Sequence, residues 1–137
     1  MGLKILQVSD AYYPFPGGVT EHMHNLSLHL RRRGHDVKIL TGSYGRDDER
    51  FNHDVIRIGK VIVTSPRLKI FNLTQLTLTF SPSLHLQVRD FLRTNRFDIV
   101  HTHGPLAVNL PHLALHYSRY INVATFHTAF VGFNFHR

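Results

Sequence analysis

A nearly continuous apolar strand, a glycine turn and an amphipathic helix open this chain, and they constrain its fold more than any other feature. The strand covers residues 3–8 and the helix 19–33, with an apolar stripe of Val19, Met23, Leu26 and Leu30. A strand that is apolar on both faces is typical of a parallel sheet covered by helices. A second strand over 36–41 follows, which predicts a right-handed βαβ unit.

The turn before the helix contains Pro16, Gly17 and Gly18. Two glycines would let the backbone take unusual dihedral angles and leave room for a ligand beside the main chain, although many such turns use glycine for geometry alone. The first amides of the helix would be free to hold an anion or a sugar hydroxyl. The turn lacks the G-x-G-x-x-G pattern, so a nicotinamide cofactor is not supported. No other cofactor is predicted.

The rest of the chain continues the alternation of strands and helices. After a polar loop over 42–52, two short strands are expected over 53–58 and 60–64, and the pattern over 65–80 is ambiguous. A second helix is expected at Ser81, Pro82 and Ser83, with a serine cap and the proline in its first turn. A strand over 98–101, a helix over 106–120 with Pro111 in its first turn, and a buried strand over 121–126 follow. This order predicts an α/β fold with a Rossmann-like, doubly wound, mainly parallel sheet.

Composition and charge narrow the class of protein. Among 137 residues, 42% are hydrophobic, and no apolar run reaches the length of about 20 residues that spans a bilayer. Without a signal-peptide pattern or any cysteine, a cytoplasmic location without disulfides is expected. The net charge of +7 suits phosphate-bearing partners such as nucleotide sugars or anionic lipid. Nucleic acid is not predicted as a partner, because no recognised binding module accompanies the charge.

Three segments should converge where the parallel strands end, which is where ligands bind in such sheets. They are the Gly17-Gly18 turn, residues 101–105 and residues 126–128. His101 and His103 would point to the same face, as a metal pair does. Without a carboxylate or third histidine at ligand spacing, no metal site is predicted. His22, near the start of the first helix, could face the same crevice.

Two further ionisable residues follow predicted strands. His127 ends a strand expected to be buried, where such a group is costly unless it has a partner or a function. Asp10 follows the first strand and could orient a hydroxyl, act as a base or cap the turn. No G-x-S-x-G elbow or P-loop occurs, so a protein nucleophile is not predicted.

Several motifs match a known family in order and spacing. They are Val8-Ser9-Asp10 with Tyr13-Pro14, Pro16-Gly17-Gly18-Val19 with His22, Leu30 with Gly34-His35-Asp36-Val37, Phe97-Asp98-Ile99-Val100-His101-Thr102-His103, and Val123-Ala124-Thr125-Phe126-His127-Thr128. On these residues the chain resembles the N-terminal half of the GT-B glycosyltransferases of family 4, the group 1 retaining transferases. Within that family it is similar to phosphatidylinositol mannosyltransferases and to phosphatidylinositol N-acetylglucosaminyltransferase catalytic subunits.

The resemblance implies a role for each candidate residue. Gly17 and Gly18 would approach the donor's phosphates and the acceptor, and His127 would be the catalytic residue, contacting the transferred sugar or its phosphate. The remaining candidates for donor and acceptor binding are Asp10, His22, His103 and Thr128. The resemblance also implies a nucleotide-sugar donor and retention of configuration, with the leaving phosphate helping to deprotonate the acceptor.

Members of the family carry a second, donor-binding Rossmann-like domain. Because this chain ends at Arg137, residues 1–137 are expected to be a truncated acceptor-side domain, inactive in transfer without a complementing subunit. The alternative is a non-enzymatic Rossmann-like module that binds an anionic ligand or a partner subunit, since an unfinished sheet exposes strand edges. Peripheral contact with anionic membrane is a further hypothesis, based on Arg67 and Lys69 among apolar neighbours.

Overall fold

Strands and helices alternate throughout the part of the chain that the computed structural model describes, which is residues 1–45, 51, 53–63, 77–105 and 109–127. The elements in chain order are β1 (Lys4–Val8), α1 (Gly18–Arg32), β2 (Asp36–Ser43), β3 (Val55–Val63), β4 (Thr77–Phe80), α2 (Leu84–Thr94), β5 (Ile99–His103), α3 (Leu110–Tyr117) and β6 (Ile121–Thr125).

The six strands form one sheet in the order β4-β3-β2-β1-β5-β6. All neighbours are parallel except β3 and β4, which are antiparallel. From β1 the chain first builds outward through β2 and β3, and later through β5 and β6 on the other side. The predicted Rossmann-like, doubly wound, mainly parallel sheet is therefore confirmed. The strand order reverses between β1 and β5, which is where such sheets form a ligand crevice.

Helices cover both faces of this sheet, and the alternation of side chains along β1 shows it. Leu6 and Val8 belong to a buried cluster with α2 and α3 residues such as Val88 and Ala114. On the other face, Met23 of α1 packs against Ile39 and Tyr12. Gln7, between Leu6 and Val8, also lies on the α1 side, where its side chain meets Ser27.

Helix α1 ends as predicted but buries a different face. Gly34 has φ of 88°, and the amides of Gly34 and His35 donate to the carbonyls of Arg31 and Leu30, which is a Schellman motif. The residues of α1 that are buried are Thr20, Met23 and Ser27. The predicted stripe of Val19, Leu26 and Leu30 is only partly buried. The buried face of this helix therefore carries hydroxyl groups.

Several predicted boundaries are wrong. The two short strands are one strand, β3, which continues through Gly59. Pro82 precedes α2 instead of lying in its first turn, and the side chain of the N-cap residue Ser83 does not cap that helix. Pro111 does lie in the first turn of α3. The last strand, β6, is exposed along residues 121–124, because in the described part of the chain it forms the sheet edge beyond β5.

Gly42, in β2, lies where the sheet leaves no space for a side chain. A Cβ there would overlap Val61 Cγ2 and would lie 2.8 Å from Thr79 Oγ1. We expect Gly42→Ala to lower the free energy of unfolding by about 2 kcal/mol, measured by urea denaturation. Gly18→Ala is the control, because within the described ranges a Cβ at Gly18 meets no atom within 4 Å. An equal loss in both variants would contradict the packing explanation.

Candidate functional site

Four histidines gather where β5 and β6 end, beside the start of α1. We call His22, His101, His103 and His127 the histidine cluster. The ring centroid of His103 lies 4.3 Å from that of His101, 5.3 Å from that of His127 and 5.7 Å from that of His22. The ring centroids of His22 and His127 are 5.4 Å apart. The structure thus brings together three sequence-predicted site residues, His22, His103 and His127.

A chain of hydrogen bonds runs from His127 into the core. Nε2 of His127 lies 3.0 Å from Nδ1 of His103, and Nε2 of His103 lies 2.9 Å from Oε1 of Gln7. The amide nitrogen of Gln7 donates to Ser27 Oγ over 2.7 Å. Gln7 and Ser27 are fully buried, whereas His127 is exposed. The buried end of this series of hydrogen bonds, formed by Gln7 and Ser27, therefore holds the exposed imidazole of His127 in place.

Three imidazoles of the histidine cluster are neutral at physiological pH. Burial, with smaller effects from His101, His127 and His22, lowers the pKa of His103 to about 3. Burial and the neighbouring His22 and His127 lower the pKa of His101. Partial burial and His22 also lower the pKa of His127. Because β6 is exposed along residues 121–124, the expectation that His127 ends a buried strand is wrong. The ring of His127 lies instead beside those of His22 and His103.

Asp10 is buried just beyond β1, close to the same edge of the sheet. Its Oδ1 accepts the backbone N–H of Thr79 at 2.9 Å, and its Oδ2 accepts the side-chain amide of Asn109 at 2.6 Å. Burial raises the pKa of this carboxyl, an effect that these hydrogen bonds oppose. Asp10 therefore ties β1 to β4 and to the N-cap of α3, and both carboxylate oxygens have protein partners.

Gly17 and Gly18 lie at the start of α1, but this turn does not need the unusual backbone dihedral angles that were predicted for it. Gly17 is extended, with φ of 170° and ψ of 164°, a conformation that any residue adopts. The expectation of unusual dihedral angles is therefore wrong. A Cβ at either glycine would meet no atom of the described residues within 4 Å, which leaves space for a ligand among them. Among the described residues, no side chain caps this helix or accepts from its first amides.

The loop between β1 and α1 is held from two sides. Arg57 on β3 donates to the carbonyls of Tyr13 and Gly42, over 2.7 and 3.1 Å. The Tyr12 hydroxyl lies 3.0 Å from Nδ1 of His24. These contacts fix the entry to α1 relative to the sheet, and with it the position of Gly17.

The described part of the chain has no group of three or more metal-ligating side chains arranged to hold an ion. Thr128, the remaining candidate, lies outside the described residues, as do Arg67 and Lys69. No helix in the ranges described combines the length and apolar character needed to cross a bilayer.

Comparison with known proteins decides the family. Residues 16–137 match the model described as Glycosyltransferase Family 4. The chain belongs to this family. The predicted resemblance to its members is confirmed, and the site lies inside the matched region of this family 4 chain, apart from Gln7 and Asp10.

The relatives of this family 4 chain include lipid-modifying enzymes. It is 32% identical to the phosphatidyl-myo-inositol mannosyltransferase of Mycobacterium leprae over 93% of this chain and 32% of the relative. It is 33% identical to a human phosphatidylinositol N-acetylglucosaminyltransferase component, over 96% of this chain and 26% of the relative. It is also 34% identical to the phosphatidylinositol N-acetylglucosaminyltransferase GPI3 component of Saccharomyces cerevisiae, over 76% of this chain and 22% of the relative. The chain spans a third or less of the length of these relatives.

Sequence reasoning missed Gln7 and Ser27 as part of the family 4 site. The signal for Gln7 was present, because a polar residue interrupts an otherwise apolar strand between Leu6 and Val8. A fully buried amide needs hydrogen-bond partners, so such an interruption indicates a partner across the core. For Ser27 the sequence carries no comparable signal, since serine is common on exposed helix surfaces.

Proposed function

We propose that this chain is the acceptor-side domain, residues 1–137, of a retaining glycosyltransferase. The enzyme would transfer a sugar from a nucleotide-sugar donor to a lipid-linked acceptor of the phosphatidylinositol type. The observation that carries the proposal is the meeting of the histidine cluster with the uncapped start of α1 at the reversal of strand order. The substrates named for the relatives support the choice of acceptor and of sugar transfer.

The start of α1 is suited to the donor's diphosphate. Its first amides have no side-chain acceptor in the part of the chain that the structure describes, and the helix dipole adds partial positive charge at this end. Gly17 and Gly18 leave open space there, so a phosphate can approach the main chain. As the bond to the sugar breaks, negative charge grows on the leaving phosphate, and preorganised amides stabilise it. That phosphate would take the proton from the acceptor hydroxyl, which is consistent with retention.

His127 would be the catalytic residue in this arrangement. Its lowered pKa favours the neutral imidazole at pH 7. Because Nε2 lies against His103, the free Nδ1 can accept a hydrogen bond from a sugar hydroxyl. His22 and His103 would line the same donor- and acceptor-binding surface, with Thr128 beside His127 in sequence. Asp10 would act there indirectly, because its carboxylate already accepts from Thr79 and Asn109.

We propose that transfer requires residues equivalent to the part of the relatives that this chain does not match, supplied in the same chain or by a complementing subunit. Peripheral contact with anionic lipid on the cytoplasmic side is proposed for the segment that contains Arg67 and Lys69. Exposed Ile62 and Phe80, on the strands that flank this segment, support the proposal. Such mixed basic and apolar surfaces can bind anionic membranes.

The test is a transfer assay in which the chain is supplemented with the unmatched part of a relative. Labelled nucleotide sugars and phosphatidylinositol vesicles are the substrates. We expect sugar transfer to the lipid, and a rate lower by about tenfold or more in His127→Ala. His85→Ala is the control, because His85 is an exposed histidine of α2. If the supplemented protein binds no nucleotide sugar and transfers nothing, the proposal fails.

One observation favours the alternative, a non-enzymatic module that binds an anionic ligand or a partner subunit. The described part of the chain exposes 68% of Ile121 and 59% of Phe126, on and beside the edge strand β6. An exposed apolar edge can pair with another polypeptide segment. Binding of a partner without any transfer in the assay above would support this second function.

A further inference from the structure

We propose that Gln7, held by Ser27, is a positioning residue that fixes which nitrogens of His103 and His127 carry hydrogen. The inference deepens the proposed function, because it concerns the imidazole to which that function assigns catalysis. It rests on a continuous line of side chains from Ser27 through Gln7 and His103 to His127, each joined to the next at 2.7 to 3.0 Å.

Because this line of contacts is buried from Ser27 to His103, its polar atoms have to pair with one another and not with water. Ser27 and Gln7 are fully buried and His103 is nearly so, so protein groups have to satisfy their polar atoms. The amide of Gln7 uses its nitrogen on Ser27 and its oxygen on His103. Turning the amide over would place its N–H groups against His103 instead. With the amide nitrogen on the Ser27 hydroxyl, as the structure has it, the end of the amide that His103 meets is the oxygen.

The direction of each hydrogen bond then follows along the line. An amide oxygen carries no hydrogen, so Nε2 of His103 has to be the donor to Gln7. A neutral imidazole that carries hydrogen on Nε2 presents a lone pair at Nδ1. Nε2 of His127, 3.0 Å away, has to donate to that lone pair. Both imidazoles are thus in the Nε2–H form, and Nδ1 of His127 is its acceptor.

The arrangement also decides where an added proton can go. His127 can take a proton on Nδ1 without disturbing its bond to His103. A proton on Nδ1 of His103 would instead face the N–H of His127, and the bond would break. Among the described residues, the other groups close to this pair are His22 and His101, and the Thr125 hydroxyl lies 2.7 Å from Nε2 of His101. The hydrogen-bonded line therefore leaves Nδ1 of His127 free to accept a hydrogen bond or a proton from a ligand.

The test is NMR of the chain labelled with ¹⁵N in its histidines, in which long-range correlations show the hydrogen position on each ring. We expect the Nε2–H form for both His103 and His127. In Gln7→Met the acceptor is lost, so both rings should lose this form in favour of Nδ1–H. In Ser27→Ala the amide is free to turn, which should give a mixture of the two forms.

Thr20→Val is the matched control, because Thr20 is a buried residue on the same face of α1 and its hydroxyl has no hydrogen-bond partner among the residues that the structure describes. Its histidine signals should stay unchanged. An Nδ1–H form of either ring in the unmodified chain, or unchanged rings in both Gln7→Met and Ser27→Ala, would overturn the inference. If Gln7→Met does not fold, Ser27→Ala alone decides. The measurement needs no donor or acceptor, so its outcome is separate from that of the transfer assay.

Discussion

Asp10→Ala is expected to lower the free energy of unfolding by about 3 kcal/mol, because it leaves two buried donors without an acceptor. They are the backbone N–H of Thr79 and the side-chain amide of Asn109. Asn109 also caps α3, where its Oδ1 accepts the backbone N–H of His112. Urea denaturation would measure the loss. Hydrogen exchange in the first turn of α3 should become faster in the same variant.

Asp10→Asn is the matched control for this carboxylate. It keeps an oxygen that can accept from Thr79, but its own amide cannot accept from Asn109. We expect a loss of about 1 kcal/mol, because one hydrogen bond is removed while the cost of burying a charge also disappears. If Asp10→Ala and Asp10→Asn are equally unstable, or if both are neutral, the hydrogen bonds of Asp10 do not stabilise the fold as proposed.

Acid is expected to destabilise the chain through His103. Its pKa is about 3 in the folded chain, against an ordinary value of 6.5, so the unfolded chain takes up this proton first. The contribution to stability is complete above pH 6.5 and is lost as the pH falls toward 3. Because each pH unit in this window corresponds to about 1.4 kcal/mol, we expect a loss of up to about 5 kcal/mol from this residue. Urea denaturation at a series of pH values would measure it.

His103→Gln isolates this contribution, because glutamine does not titrate and can still donate to Gln7. The difference in unfolding free energy between the unmodified chain and this variant should shrink as the pH falls below 6.5. His85→Gln, an exposed replacement in α2, should leave the pH dependence unchanged. A parallel pH dependence in the unmodified chain and His103→Gln would contradict the assignment to His103.

Local patterns predicted the elements that determine the fold. The apolar run of β1 and the glycine after α1 specify the βαβ unit, and parallel strands bring their carboxyl ends to one edge. The meeting of His22, His103 and His127 followed from that topology without any knowledge of side-chain contacts. Element order therefore carried most of the information about where the candidate site lies.

Side-chain partners could not be predicted in the same way. Asp10 contacts Thr79 and Asn109, which are 69 and 99 residues away in sequence. The residues next to Asp10 in sequence therefore do not indicate these partners. The prediction for Gly17 was wrong for a related reason. Glycine permits unusual dihedral angles, but the path from β1 into α1 does not use them. The dihedral angles that a glycine permits therefore do not show which angles the surrounding structure imposes on it.

The buried line of hydrogen bonds also has a consequence for the order of folding. Gln7 and Ser27 are 20 residues apart, whereas Gln7 and His103 are 96 apart. Closing the longer loop costs more entropy, so local contacts tend to form first. We therefore expect the contact between Gln7 and Ser27 to form within the first βαβ unit before β5 docks beside β1. During refolding, the ¹⁵N signals of His103 would then report the moment at which the two sides of the sheet join.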